Sequence, residues 1–217
     1  TSLVSNLLGV YRERLIAGKF GATHLTDIFY ASFRIPDLIF NLLVLGAVSS
    51  AFIPIFVDYL NDKKKIKEAN EVASNFMNFL LIGTIIFGII VFVLARKLVP
   101  FLLPGFFVDG VPKDINTFET MVTATRIMIL SPIFFAISSV FGAVLNSHKR
   151  FLAYALAPLI YNISIIFGIL YLSDITSSPV YGLCIAVVLG AFLHAAIQLP
   201  AVLMTGFRWK PILNFRK

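Results

Sequence analysis

The side chains in this sequence best suited to chemistry are ionised groups set in stretches that are otherwise apolar. Arg12, Glu13, Arg14 and Lys19 interrupt the segment 1–20, and Asp27, Arg34 and Asp37 interrupt the one that follows. On a helix turning about 100° per residue, Asp27, Tyr30, Arg34, Asp37 and Asn41 fall within an arc of about 80°. Beyond them the same face turns apolar at Leu45, Val48 and Phe52. On the preceding segment Ser5, Arg12 and Lys19 share one stripe, Asn6 and Glu13 share the next, and Arg14 points elsewhere. A charge in hydrocarbon costs roughly 2.5–3.5 kcal/mol on insertion scales, so such groups survive where they face protein, water or a polar ligand. Arginine donates in a planar fork that fits phosphate oxygens. Two readings stay open at this point. Arg12 and Arg34 pair with Glu13, Asp27 or Asp37 to hold helices together, or snorkel to an interface. Alternatively, these groups line a water-filled cavity that binds a charged substrate. The readings are compatible, because Asp27 and Asp37 are expected to pair with Arg34 in at least one state.

Catalytic chemistry finds little support. The sequence has no phosphate-binding glycine loop, no nucleophile elbow and no paired-histidine metal motif. His24, His148 and His194 are scattered, and Cys184 is the one cysteine, read as a small packing residue. His194 and Gln198 share a face but have no further ligand at metal spacing, which predicts a helix–helix hydrogen bond. Arg126 is expected to reach the membrane interface, and Asn162 to cap carbonyls freed by Pro158. No metal and no cofactor is implied, and an enzyme would need a clustered acid–base or metal set.

The elements that must carry these residues are long and oily. Hydrophobic residues make up 59% of the 217 and charged residues only 13%, against roughly 45–50% and 25% in soluble domains. A water-soluble fold of this length cannot hide so much apolar surface. Spans of about 20 residues suit the hydrocarbon core, and uncharged runs occur at 38–57, 76–95, 127–147, 151–173 and 175–207. The segment 1–20 has the right length for a further span. The expected fold is therefore all-α, a polytopic bundle of about six transmembrane helices at 1–20, 25–60, 73–98, 120–147, 151–173 and 179–204. Basic residues gather in alternate connections: Lys63, Lys64, Lys65 and Lys67; Lys149 and Arg150; Arg208, Lys210, Arg216 and Lys217. The other connections hold Lys113 against Asp109, Asp114, Glu119 and Asp174, with Arg96 and Lys97 against the trend. The positive-inside rule then puts both ends in the cytoplasm and requires an even number of crossings. It also explains the net charge of +7 without a nucleic-acid partner. Pro36, Pro54, Pro132, Pro158 and Pro200 all fall within these stretches, where neighbours or a cavity must satisfy the freed carbonyls.

Several ordered motifs resemble the MurJ/MviN family, the lipid II flippases of peptidoglycan synthesis. They are Leu8-Gly9-Val10-Tyr11-Arg12, Phe20-Gly21-Ala22, the run from Thr26 to Leu38 containing Arg34-Ile35-Pro36-Asp37, and the run from Gly46 to Phe56. Pro104-Gly105-Phe106, Arg126-Ile127-Met128, Leu145-Asn146-Ser147-His148-Lys149-Arg150-Phe151, Ala157-Pro158, Asn162-Ile163-Ser164 and Gln198-Leu199-Pro200 follow in the family's order. The resemblance covers essentially the whole chain. It implies the N-terminal six-helix lobe, 1–217, of a two-lobe flippase, with a C-terminal lobe missing from this chain. It implies a bacterial cytoplasmic (inner) membrane location and alternating-access movement of a lipid-linked pyrophosphate substrate. Arg12 matches a family cavity arginine, Asp27 a functionally important acidic position, and Arg34 a usually basic one. With Asp37 and Asn41 they form the expected substrate-binding set. Asn6, Phe40 and Leu45 stand where many members carry charges, which keeps a flippase of another lipid-linked oligosaccharide in view. An exporter of the drug–cation type would share the fold but favour an acidic or aromatic cavity.

Overall fold

A computed structural model of the chain describes residues 2–62, 65–108 and 111–214. Lys63, Lys64, Asp109, Arg216 and Lys217 lie outside the described residues, as does the side chain of Leu45. Six helical rods are present among the described residues. Rod one is α1 (Ser2–Phe20). Rod two joins α2 (His24–Ile39) to α3 (Ile53–Asn61) through two π-helical stretches, Phe40–Leu45 and Val48–Phe52. Rod three is α4 (Ile66–Leu102). Rod four comprises α5 (Ile115–Met128) and α6 (Ser131–Ser147). Rod five runs from α7 (Phe151–Phe167) through a π-helical turn, Gly168–Leu172, into α8 (Ser173–Ile175). Rod six is α9 (Pro179–Ala196) with α10 (Leu199–Leu203). A two-stranded antiparallel hairpin, β1 (Phe107–Val108) with β2 (Val111–Pro112), interrupts the connection between rods three and four.

The stretches Ile66–Phe101, Ile115–Ser147, Phe151–Ile175 and Pro179–Leu203 are long and apolar enough to cross a membrane. Together with the family fold described below, they make this a multi-pass membrane protein. Rod three begins at Ile66, ahead of the expected 73, because Lys67, Glu68 and Glu71 extend it on an exposed polar first turn.

Two apolar clusters sit toward opposite ends of the bundle. One packs Ile16, Ile28 and Phe29 against Val99, Met121 and Val180. The other packs Val44, Phe52 and Phe56 against Met77, Val144 and Phe207. The residues of rod two that enter them reveal its register. Ile28, Ser32, Ile35 and Ile39 are buried at the three-to-four spacing of an α-helix, and Val44, Val48, Phe52 and Phe56 continue at fours. Between Ile39 and Val44 the step is five, the spacing of a π-turn with its i→i+5 hydrogen bonds. That extra residue turns Val48 and Phe52 inward, so the polar stripe is not continued by them. The expectation that they share its face fails because a uniform 100° per residue does not hold across a π-turn.

Rods five and six approach most closely. A Cβ added at Gly168 would lie 2.1 Å from Ala186 Cβ, and one at Gly182 would lie 2.4 Å from the Leu172 carbonyl oxygen. Small residues let membrane helices bring backbone against backbone, where van der Waals contact substitutes for a hydrophobic drive. Rod four bends at Ile129–Leu130, just before Pro132. Pro132 has no N–H to give the Met128 carbonyl, and the Ser131 hydroxyl donates to that oxygen instead, at 2.8 Å. His194 and Gln198 both bond Ser138 of α6, at 2.6 and 2.5 Å, so the expected helix–helix link is present. Cys184 is fully buried.

Candidate functional site

The stripe Asp27, Tyr30, Arg34, Asp37 and Asn41 is exposed along α2 and its first π-turn. It stands opposite the buried row of Ile28, Ser32, Ile35 and Ile39. His24, Asp27, Tyr30 and Arg34 of α2 line one cavity of about 730 Å³, whose far wall includes Lys113, Asp114 and Thr117. Among the described residues the Asp27 and Arg34 side chains make no ion pair and no hydrogen bond, so the anticipated Arg34 pairing is not formed in this state. Asp37 faces a separate, mostly apolar cavity of about 200 Å³ with Phe40, Phe135 and Tyr161. Asn41 lines neither cavity.

The wall of the larger cavity is built by a helix cap. Asp114 accepts from the amides of Asn116 and Thr117 at 3.3 and 2.8 Å, occupying two donors that the start of α5 leaves open. The Thr117 hydroxyl donates to Asp114 at 2.6 Å. Its one hydrogen being committed, Thr117 Oγ1 accepts from His24 Nε2, 2.7 Å away, which fixes the His24 tautomer. The hydrogen bonds from Thr117 hold the Asp114 carboxyl below the usual carboxylate range. Lys113 reaches back to the Gly105 carbonyl at 2.9 Å.

Arg12 lies in a second polar group that meets the first at Tyr30. Its guanidinium donates to Glu13 from Nε at 3.1 Å and from Nη2 at 2.5 Å, and from Nη1 to Asn162 Oδ1 at 3.0 Å. Tyr30 Oη donates to the other Glu13 oxygen. Asn162 completes the link by donating to the Ser5 and Pro158 carbonyls at 3.2 and 3.1 Å. The stripe of Ser5, Arg12 and Lys19 thus reads along rod five: Lys19 Nζ donates to Ile169 O at 2.7 Å and pairs with Asp174 at 2.7 Å. Arg12 and Lys19 are seven apart, as are Asn162 and Ile169, so rods one and five run in the same direction.

Two expectations are refined by these contacts. Asn162 does not cap the carbonyl that Pro158 frees, which is that of Tyr154 four residues back; it bonds Pro158's own carbonyl and ties rod one down. Arg126 does not simply reach outward: its Nε donates to the Phe92 carbonyl at 3.0 Å, and its guanidinium lies 5.1 Å from the Phe92 ring centre. Arg96, against the charge trend, pairs with Glu119, which offsets its charge locally. Glu13, Tyr30 and Asn162 are the functional candidates that the expected binding set omitted. Tyr30 already lay in the polar arc, whereas nothing local signals that Asn162 meets a residue 150 positions away.

Comparison with known proteins places the chain. The family model for the lipid II flippase MurJ matches residues 16–217. The chain is 33% identical over 201 residues to the lipid II flippase MurJ of Burkholderia cenocepacia, covering 93% of this chain and 38% of that protein. It is 32% identical over 223 residues to the probable lipid II flippase MurJ of Buchnera aphidicola from Acyrthosiphon pisum, covering 97% and 41% respectively. A solved structure, the lipid II flippase MurJ in an inward closed conformation, shares the fold with a TM-score of 0.78 at 21% identity, over 98% of this chain and 42% of that one. The chain spans about two fifths of the length of the curated relatives it matches. On this evidence the chain belongs to the lipid II flippase MurJ family.

Proposed function

We propose that this chain forms the N-terminal lobe of a flippase that carries a lipid-linked peptidoglycan precursor across the bacterial cytoplasmic membrane. The observation that carries the reading is Arg34, exposed on the wall of the 730 Å³ cavity with no partner among the described residues. A guanidinium held ready in this way suits a pyrophosphate, which accepts two parallel N–H bonds. Asp27, on the same wall, is placed to hold or release Arg34 in another state. Arg12 plays a different part. Its donors are engaged by Glu13 and Asn162, so substrate reaches it only by displacing one of them. Binding that exchanges such partners makes different contacts in two states, as alternating access requires. Asp37 and Asn41 continue the stripe toward mid-membrane, where a headgroup arriving from the cytoplasmic side meets them before Arg34. All of these groups move, bind or release a ligand, and none forms a catalytic set.

In this reading rods one and two also cross, giving six spans with both ends cytoplasmic. Parallel rods one and five support that alternation, and so does the gathering of Lys65, Lys149, Arg150, Arg208 and Lys210 at one set of connections. A second, C-terminal lobe would complete the cavity. The test is complementation of a bacterium depleted of its lipid II flippase by the full-length gene, with Arg34→Ala beside the unaltered protein. Growth restored by the unaltered gene and not by Arg34→Ala is expected. Rescue by both removes Arg34 from the site, and rescue by neither points to a different lipid-linked substrate.

A further inference from the structure

Away from the polar stripe, residues 208–214 run in an irregular extended path along α4, and the helix holds them by their main chain. Asn78 Nδ2 donates to the carbonyls of Lys210 and Ile212, each at 2.8 Å. Asn75 forms a two-way pair with Asn214, donating to its carbonyl at 2.8 Å and accepting from its amide at 2.7 Å. Ser74 Oγ accepts from the Lys210 amide at 3.2 Å. Trp209 Nε1 donates to Asn78 Oδ1 at 2.7 Å, and Lys210 lies 3.6 Å from Glu71. The carbonyls taken belong to alternate residues, 210, 212 and 214, and the Ile212 amide also donates to the Lys210 carbonyl at 2.9 Å, a three-residue turn centred on Pro211. The segment is anchored upstream by Phe207, which is buried against Phe141.

We propose that Ser74, Asn75 and Asn78 form a latch that holds the main chain of the segment by its peptide groups, so that rod three and the segment leaving rod six move as one block. Uncharged amides bonded to peptide groups set geometry rather than residue identity at 211 and 213. The latched segment also places Ile212 and Leu213 as one wall of a cavity of about 610 Å³ between α3 and α4, floored by Phe52 and Phe76. Release of the latch opens that wall. This inference concerns the packing of the segment and stands whether or not the lobe handles lipid II.

Trp209 is the one tryptophan of these 217 residues, so its fluorescence reports the latch once any tryptophan outside them is replaced by phenylalanine. The test is made on the full chain in detergent, with Asn75→Ala, Asn78→Ala and the double variant. Asn78→Ala is expected to red-shift Trp209 emission and lower its anisotropy. Asn75→Ala is expected to speed amide exchange at Asn214 by about ten-fold, the scale of one lost hydrogen bond. Exchange within α4 and α9 should stay unchanged in both single variants. Unchanged exchange at Asn214 and unchanged emission in the double variant overturn the latch. A loss of protection spread equally through α4 overturns it too, because the asparagines would then serve general packing. If the double variant does not fold, the single variants still decide, since Asn75 lies only partly buried on the helix surface.

Discussion

Rods one and two differ from rods five and six in how they use the same apolar composition. Rods five and six press backbone to backbone at Gly168, Gly182 and Gly190, with Ser164 donating across to the Ala186 carbonyl at 3.0 Å. Rods one and two bury one apolar face in the core at Ile16, Ile28 and Phe29, but they place Asp27, Arg34 and Asp37 outward, and a chain of polar side chains links rod one to rods two and five. The first pair is a fixed frame, where a Cβ added at Gly168 or Gly182 meets a Cβ or backbone atoms that cannot swing away. The second pair is a face where bonds can be exchanged without disturbing a close-packed seam. The lesson is a division of labour: rigidity sits in the seam, and exchangeable contacts sit on the stripe that the seam supports.

The comparison breaks first at Gly182. A methyl there would lie 2.4 Å from the Leu172 carbonyl and 2.6 Å from the Ser173 amide, both backbone atoms that cannot swing away. Gly182→Ala is expected to cost about 1–3 kcal/mol of unfolding free energy by overpacking, and Gly182→Leu to leave little folded protein. Chemical unfolding in detergent measures it. Unfolding free energy unchanged in Gly182→Ala would mean the seam is softer than the stripe.

Arg34→Ala sharpens the contrast from the other side. The side chain is exposed and makes no hydrogen bond or ion pair among the described residues, so stability should move by less than about 0.5 kcal/mol. Transport by the full-length protein should fall by roughly 10- to 100-fold, the scale of a lost charge-assisted hydrogen bond. A flipping assay beside an unfolding curve separates the two effects. Equal losses in both would make Arg34 a structural residue.

Asn162→Ala falls between the regions, because it removes the bridge from rod five to Ser5 and Arg12. It leaves one Arg12 donor short of a partner and removes a second bond from the Ser5 carbonyl, which keeps its helical one, an expected cost of about 1–3 kcal/mol. The effect should appear as faster amide exchange in α1 and not in α9. Exchange spreading into α9 would show that rod one is locked to the seam rather than hung on the polar chain.

How far the sequence anticipated this follows from which physical signals are local. The heptad spacing of Ser5, Arg12 and Lys19 announced a common face, and that face does meet rod five. The arc from Asp27 to Asn41 was legible because α2 keeps a regular helical turn up to Ile39. Its continuation was not, because no residue type marks the five-residue step to Val44, and tertiary packing decides where a helix takes in an extra residue. Asn162 reads as a cap for a neighbouring proline until the fold brings Arg12 beside it. The latch on α4 was equally hidden. Ser74, Asn75 and Asn78 are ordinary polar residues near a helix start, and what they bind is main chain, which carries no sequence signal.

The smallest effect concerns what holds the cavity's outer wall. The Asp114 cap and the Thr117 hydroxyl tie the start of α5, beside Phe118 packed edge-on against Phe107. Hydrogen bonds from Thr117 lower the folded-state pKa of Asp114. A carboxylate with a depressed pKa contributes stability that is complete above its unfolded value, about 3.9, and is lost as pH falls through the lower folded value. Protection factors at Asn116 and Thr117, corrected for intrinsic exchange, should therefore be flat from neutral pH down to about 4 and decline below that. Asp114→Ala should remove the pH dependence and lower protection at those two amides only a few-fold, because the group is exposed. Asp114→Asn should recover most of the protection without the titration, since an asparagine oxygen caps nearly as well. A decline beginning near neutral pH would show that the Asp114 carboxylate does not control the wall.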